Sequence, residues 1–360
     1  MISRRIFRRL DVFSPRLMMF SSSSATEGSN GFMDLYSKST EEFRLGNLDL
    51  ATEFSRKALA EADETKSVNW RDIAAVQLNL AHMLKLNSQF VDARVFAEKA
   101  LAGLDARFSS NKLEVCHTLD VLAELCCELG DYPTASEHVI RAIEVKSRIG
   151  GPAGASLAKS YNIRGAIMLN EGQLAQARSD FIRALAINVR HHGRDRPLPL
   201  STGITLSNIG GVLRKEGNRV SETVALYREV VESFEGSLSN AESSWMVGSA
   251  LADLAESLVE LGTEPAITEA KDLLTRALHI FLSTRGIGHP STERAANLLK
   301  ECGTRPVSDA TTEIDLNFVD TLLNECEKVV PRNEGRVSGD VIFLDRRGHI
   351  GHGHPHTPLF

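Results

Sequence analysis

The chain has no apolar run approaching the ~18 residues that a membrane-spanning helix needs, so no transmembrane segment is expected. It has no basic excess either: the formal net charge is −6. Residues 1–26 hold five Arg against one Asp, which leaves the remainder at about −10. Phosphate binding wants a basic stripe, so an acidic body argues against nucleic acid as a partner. Cysteines are few and form no ligand pattern. Cys116, Cys126, Cys127, Cys302 and Cys326 are odd in number and include no Cys-x-x-Cys. Small buried thiols in a reducing compartment account for them. Also missing are Gly-x-Ser-x-Gly, a Walker loop, His-Glu-x-x-His and a Gly-rich loop after a strand. The acidic residues are expected on solvated helix faces, and His191-His192 in a loop between units with no nucleophile in view. These absences lead to the expectation of a chain that is not an enzyme and carries no cofactor.

What the chain does have is a small residue that returns at a fixed interval. Ala58, Ala100, Ala142 and Ala184 stand 42 residues apart, each followed by Leu or Ile. The series continues, stretched, at Val230 and Ala277. A second marker runs about a dozen residues ahead, at Gly46, Ser88, Gly130, Gly172, Gly217 and Gly262. Two small-residue markers locked to one period mean one helical hairpin copied about six times. In the third unit Leu119, Leu122, Ala123 and Leu125 give an apolar stripe, Gly130-Asp131 breaks it, and Tyr132-Pro133 opens the next helix. Ala135, Val139, Ala142 and Ile143 then face back. Alanine at such a crossing lets two backbones approach where a larger side chain would splay them. The fifth and sixth units carry short insertions, which read as longer corners. The seventh keeps only a first helix, from about Pro290 to Cys302, the expected cap of the array. The fold expected is all-α: a right-handed α-α superhelical solenoid of about six helical hairpins plus a capping helix.

Units such as Asn79-Leu80-Ala81…Ser88-Gln89-Phe90…Ala93…Ala97…Ala100-Leu101 and Gly130-Asp131-Tyr132…Ala135…Ala142 resemble the tetratricopeptide repeat. The 42-residue period resembles the kinesin-light-chain type of that family, as does Gly286-Ile287-Gly288-His289-Pro290 ahead of the last helix. The resemblance implies that first helices line a concave groove that binds a protein or peptide partner, with an Asn near mid-helix bonding its backbone. Placed on the turn marker, Asn79, Asn208, Asn297 and, in the sixth unit, Asp253 hold that position, while Val121 and Ile163 hold it elsewhere. His82, Lys85, Glu124, Arg214, Lys215 and Glu256 follow one or two turns on. The groove set is therefore Asn79, His82, Asn208, Lys215, Asp253 and Asn297; bonding of the Asn residues within the array stands beside it as the other reading. Ala58, Ala100, Ala142, Ala184, Ala277, Gly130, Gly172, Gly217 and Gly262 are read as repeat-packing residues. Trp70 and Trp245 read as aromatic wedges between hairpins.

The ends differ from the middle. Ile2, Ile6, Leu10, Phe13, Leu17 and Phe20 form a helical stripe among Arg4, Arg5, Arg8, Arg9 and Arg16, followed by Ser21–Ser24. An Arg-rich, Ser-rich, acid-poor segment is the composition of a mitochondrial presequence, so residues 1–27 are expected to be a targeting segment. Residues 28–303 are the solenoid, 304–330 a linker and amphipathic helix, and 331–360 a flexible His/Gly-rich tail. The amphipathic helix (Ile314, Phe318, Val319, Leu322, Leu323, Cys326) has two sites open to it, the solenoid end or the groove. His349, His352, His354 and His356 are weak metal-ligand candidates, with no Cys or carboxylate nearby to complete a fixed site. Three functional readings follow: a mitochondrial interaction scaffold, matrix or inner-membrane associated, serving assembly or maintenance of a membrane complex; a cytoplasmic kinesin-light-chain-like adaptor; and a metal-handling protein working through its His tail. Oligomeric state is open.

Overall fold

The local sequence starts and stops each helix in the expected way. Asn69 accepts from the Arg71 N–H at 3.0 Å and Asp131 from the Thr134 N–H at 3.3 Å, side-chain caps that satisfy otherwise orphaned donors. The computed structural model describes residues 30–45, 47–65, 68–106, 113–238, 240–241, 244–304, 314–329, 341–344 and 350–353. Among them, helices α1 (Asn30–Arg44) and α2 (Leu48–Thr65) make the first hairpin, and α3 (Trp70–Leu86) with α4 (Phe90–Asp105) the second. The next are α5 (Leu113–Glu128) with α6 (Tyr132–Gly150), and α7 (Leu157–Asn170) with α8 (Leu174–His192). Then come α9 (Leu200–Glu216) with α10 (Val220–Ser237), and α11 (Trp245–Leu261) with α12 (Glu264–Arg285). A lone α13 (Pro290–Thr304) closes the array, and α14 (Phe318–Cys326) follows it. Strands β1 (Val341–Leu344) and β2 (Ile350–Gly353) pair antiparallel, with Ile342 opposite His352. The solenoid is all-α, with six hairpins and a cap. The targeting segment expected at residues 1–27, Gly46, His349, His354 and His356 lie outside the described residues, and His352 is placed by its backbone only.

Each helix of a hairpin packs on its partner, and each second helix packs on the first helix of the next unit. First helices also meet one another, α3 with α5, α5 with α7, α7 with α9 and α11 with α13, with no comparably extensive contact between successive second helices. At those four joints the first-helix side is therefore the more closely packed side of the array. The crossings run through small residues. Ala58, Ala100, Ala142, Ala184, Val230 and Ala277 are fully buried on the second helices. Ala81, Ala123, Gly165, Gly210 and Ala255, each seven residues before a turn marker, answer them on the first helices. A Cβ added to Gly165 would sit 2.6 Å from Phe181 Cε1, and one on Gly210 would sit 2.7 Å from Tyr227 Cζ.

The turn inside a hairpin needs a left-handed residue. φ is +82° at Gly130, +79° at Gly172 and +74° at both Gly217 and Gly262. Ser88 adopts φ +60° at the same register, so the marker survives where the glycine does not. The hydrogen bonds match too: Gly130 N–H donates to Cys127 O and Asp131 N–H to Cys126 O, as Ser88 and Gln89 donate to Lys85 and Leu84. All five cysteines are buried and outside any disulfide, and burial pushes the Cys126 thiol up to about 11. Trp70 and Trp245 are each the first residue of a first helix, and the Arg285 guanidinium lies 4.6 Å over the Trp245 ring.

A side chain at the Gly130 turn meets nothing within 4 Å, so Gly130→Ala carries backbone strain alone. It is expected to cost about 1 kcal/mol, and Ser88→Gly to gain a few tenths to about 1 kcal/mol, in denaturant titration. Gly210→Val, which overpacks against Tyr227, is expected to cost about 2–3 kcal/mol.

Candidate partner-binding groove

The first-helix side carries a polar interior, built one unit to the next. At the start, Asn79 is buried and its Nδ2 donates to the Tyr36 hydroxyl at 2.6 Å. At the joint of units four and five, Asn162 Nδ2 donates to Thr205 Oγ1 at 2.8 Å, as does Asn188 at 3.0 Å. Asn208 Nδ2 reaches Asn162 Oδ1 at 3.4 Å, and its own Oδ1 is buried without a hydrogen-bond partner. Lys215 is exposed overall, with Nζ turned to the wall and donating to the Leu169 carbonyl at 2.6 Å in a part-buried bond. Asn297 is exposed on α13.

Between units two, three and four this interior is ionic. The Glu124 carboxylate is fully buried, paired with Lys85 of the unit before and with Lys159 of the unit after at 2.9 Å. Burial alone would raise its pKa; Lys159 and Lys85 outweigh that and hold it at about 2. Nearby Asp120 accepts from Lys146 at 2.5 Å and from Ser160 at 2.7 Å. The same clasp recurs between units five, six and seven. Asp253, 3% exposed, accepts from Arg294 at 2.9 Å with Arg214 at 3.9 Å, and both arginines pair with Glu256. Lys85 and Arg214 each stand three residues before a turn marker, and Glu124 and Glu256 six before. Units four and five are joined instead by the neutral Asn162–Thr205–Asn188 group, with one ion pair, Arg178 with Glu216, at the margin.

His82 stacks on His117 with ring centroids 5.6 Å apart, and its Nε2 is buried with no hydrogen-bond partner. Burial, then the charges of Lys85, His117 and Lys159, holds His82 well below the ordinary imidazole range. Burial, then Lys159, pulls His117 down to about 4, against the opposing pull of Asp120 and Glu124. Both rings are neutral at pH 7. His117 and Lys159 escape a reading by residue type, yet both stand thirteen residues before the turn marker of their unit, and that shared register was the available signal. Asn170 also escaped notice: both atoms of its amide are buried without a hydrogen-bond partner. Among the described residues, no cluster of His, Cys, Asp and Glu could hold a metal ion, and no helix is long and apolar enough to cross a membrane.

Residues 114–188 match the family model for the tetratricopeptide repeat, and this segment is α5 to α8 of the solenoid. The chain is similar to a Clustered mitochondria protein homolog from Meyerozyma guilliermondii, 27% identical over 147 residues. That match spans 41% of this chain and 12% of the relative. A Rap protein crystallised with Competence and Sporulation Factor superposes with TM-score 0.52 at 16% identity, over 82% of this chain and 76% of its own. The nearly identical tetratricopeptide-like repeats of a candidate kinesin light chain from Podosopora anserina give TM-score 0.45 at 18% identity, over 60% of this chain and 98% of theirs. The fold is thus an α-α solenoid, and residues 114–188 within it match the tetratricopeptide repeat.

Two outcomes follow from the buried charges. Glu124→Gln leaves Lys85 and Lys159 without their counter-charge and is expected to cost about 3 kcal/mol in denaturant titration. The depressed imidazoles act in the same direction of pH but in a higher window. Below pH ~6.5 the unfolded chain takes up protons that the folded His82 and His117 refuse, so stability falls as pH drops toward their folded pKa values. From His117 alone the loss reaches about 2 kcal/mol by pH 5, read as a lower Tm at pH 5 than at pH 7.5. His117→Gln is expected to flatten that slope, whereas the Glu124 contribution is lost only from about pH 4.5 down to about 2.

Proposed function

We propose that this chain is a non-enzymatic protein–protein interaction scaffold whose first-helix groove holds an extended segment of a partner protein. The observation that carries the reading is the set of first-helix polar atoms left without a hydrogen-bond partner: His82 Nε2, the Asn170 amide and Asn208 Oδ1. A buried polar atom without a partner costs free energy, and an amide supplies both the donor and the acceptor that a peptide backbone needs. With them go Asn79, Lys215, Asp253 and Asn297 as the proposed groove set, Asn79 and Asp253 supporting from within the wall. The repeat-packing alanines and glycines hold that wall in shape.

The setting we assign is mitochondrial, matrix or inner-membrane associated, with a role in assembly or maintenance of a membrane complex. Two observations support it: the Arg-rich amphipathic stripe of residues 1–20 and the printed name of the Meyerozyma relative. A photo-crosslinking residue placed at Asn170 or Lys215, compared with one at Val95 on the outer side, tests both parts in isolated mitochondria. Cross-links to one protein from the inner positions only are expected. Equal cross-linking from Val95, or none from the inner pair, rejects the groove. The mature chain is expected to start between Met18 and Glu27; a population that keeps Met1 rejects the targeting assignment.

A further inference from the structure

The segment 314–329 returns from the end of the array to its outer wall. Helix α14 lies across α8 and α10, the second helices of units four and five, rather than at the solenoid end or in the groove. Phe318, Val319, Leu322, Leu323 and Cys326 form one buried stripe within the main core. The wall around that stripe is basic. Arg194 donates to Leu323 O at 2.8 Å and to Asn324 Oδ1 at 2.7 Å, and pairs with Glu327 at 2.7 Å. Arg196 bridges Asp320 at 3.0 Å and Glu229 at 3.1 Å. The Arg219 guanidinium stands 5.2 Å over the Phe318 ring.

A helix of nine residues does not hold its own shape in water, so α14 owes its order to this wall. The rim pairs are largely exposed and individually weak, which leaves the apolar stripe as the main hold and the charges as the selector. Recognition uses a stripe, two acids, one amide and one main-chain carbonyl, and no element of it depends on α14 being part of the same chain. The tether, residues 305–313, is polar.

We propose that the outer wall of units four and five is a socket for short acidic amphipathic helices, with α14 as its resident occupant and a helix of another protein as its exchange partner. The pattern it selects is apolar at i, i+1, i+4, i+5 and i+8 with acids at i+2 and i+9, the pattern of Phe318 to Glu327. This surface is separate from the first-helix groove, so the two sites are able to act together.

Cys326 reports on the exchange, because its thiol is fully buried while α14 is docked. The full chain is treated with iodoacetamide, with and without a synthetic peptide that carries the pattern in an otherwise unrelated sequence. Alkylation is located by mass spectrometry. The peptide is expected to speed Cys326 labelling by about fivefold or more, with Cys116, Cys126, Cys127 and Cys302 unchanged. A peptide of the same composition in scrambled order is expected to do nothing. Leu322→Asp in the full chain, which undocks α14, is expected to bind the labelled peptide about tenfold more tightly than the unaltered chain. Adding Arg194→Glu and Arg196→Glu is expected to remove most of that gain. Unchanged Cys326 labelling together with no peptide binding to the Leu322→Asp chain overturns the proposal. So does a concentration-dependent dimer in light scattering that keeps Cys326 protected, since the exchange partner is then a second copy of this chain.

Discussion

Everything in this fold depends on how closely two helices of a hairpin can approach. The small residues on the second helices (Val230 in unit five, Ala elsewhere) and the Ala or Gly seven residues before the turns of units two to six remove the side-chain volume that would hold them apart. Close crossings inside each unit set the angle at which the next unit docks, and repetition of that angle builds the superhelical array. Phe181 and Tyr227 fill the space that Gly165 and Gly210 leave, so the gap is shaped rather than empty.

On that scaffold the polar interior does what apolar packing does not: it fixes which unit may sit beside which. Glu124 finds one lysine from each neighbour, and the Asp253–Glu256 pair finds one arginine from each. A slip of one helical turn at either joint would strand buried charge, at a cost of several kcal/mol. Selection for register is a reading of these clasps that fits their position, between units rather than within them.

Much of the architecture was legible because packing by small residues leaves a periodic trace. Ala100 and Gly130 announce themselves by spacing alone, and even Ser88 holds its place in the series and takes the left-handed turn. Ion partners are harder to read. Lys85 and Glu124 are 39 residues apart and become neighbours only once two helices are laid side by side in the correct rotation. His117 and His82 are the same case. The Asn positions were visible, but whether an amide faces a ligand or a neighbouring helix turns on a rotation of a few tens of degrees that periodicity does not resolve. For α14, an apolar stripe states that one face is covered and is silent about what covers it; the outer wall of α8 and α10 is a property of the assembled array.

The uneven distribution of clasps along the array has a mechanical consequence. A stack of units behaves as springs in series, and the overall bend under load gathers at the most compliant one. Units two to four and five to seven are each stiffened by buried ion pairs across their inner edge, while the joint between the two blocks is held by the neutral Asn162–Thr205–Asn188 group, the Lys215 bond to the Leu169 carbonyl and one marginal ion pair. The chain places α14 across the outside of that same joint, in the position of a splint on a hinge. A helix that lies outside the first-helix side thus braces a joint whose inner edge has no buried ion-pair clasp.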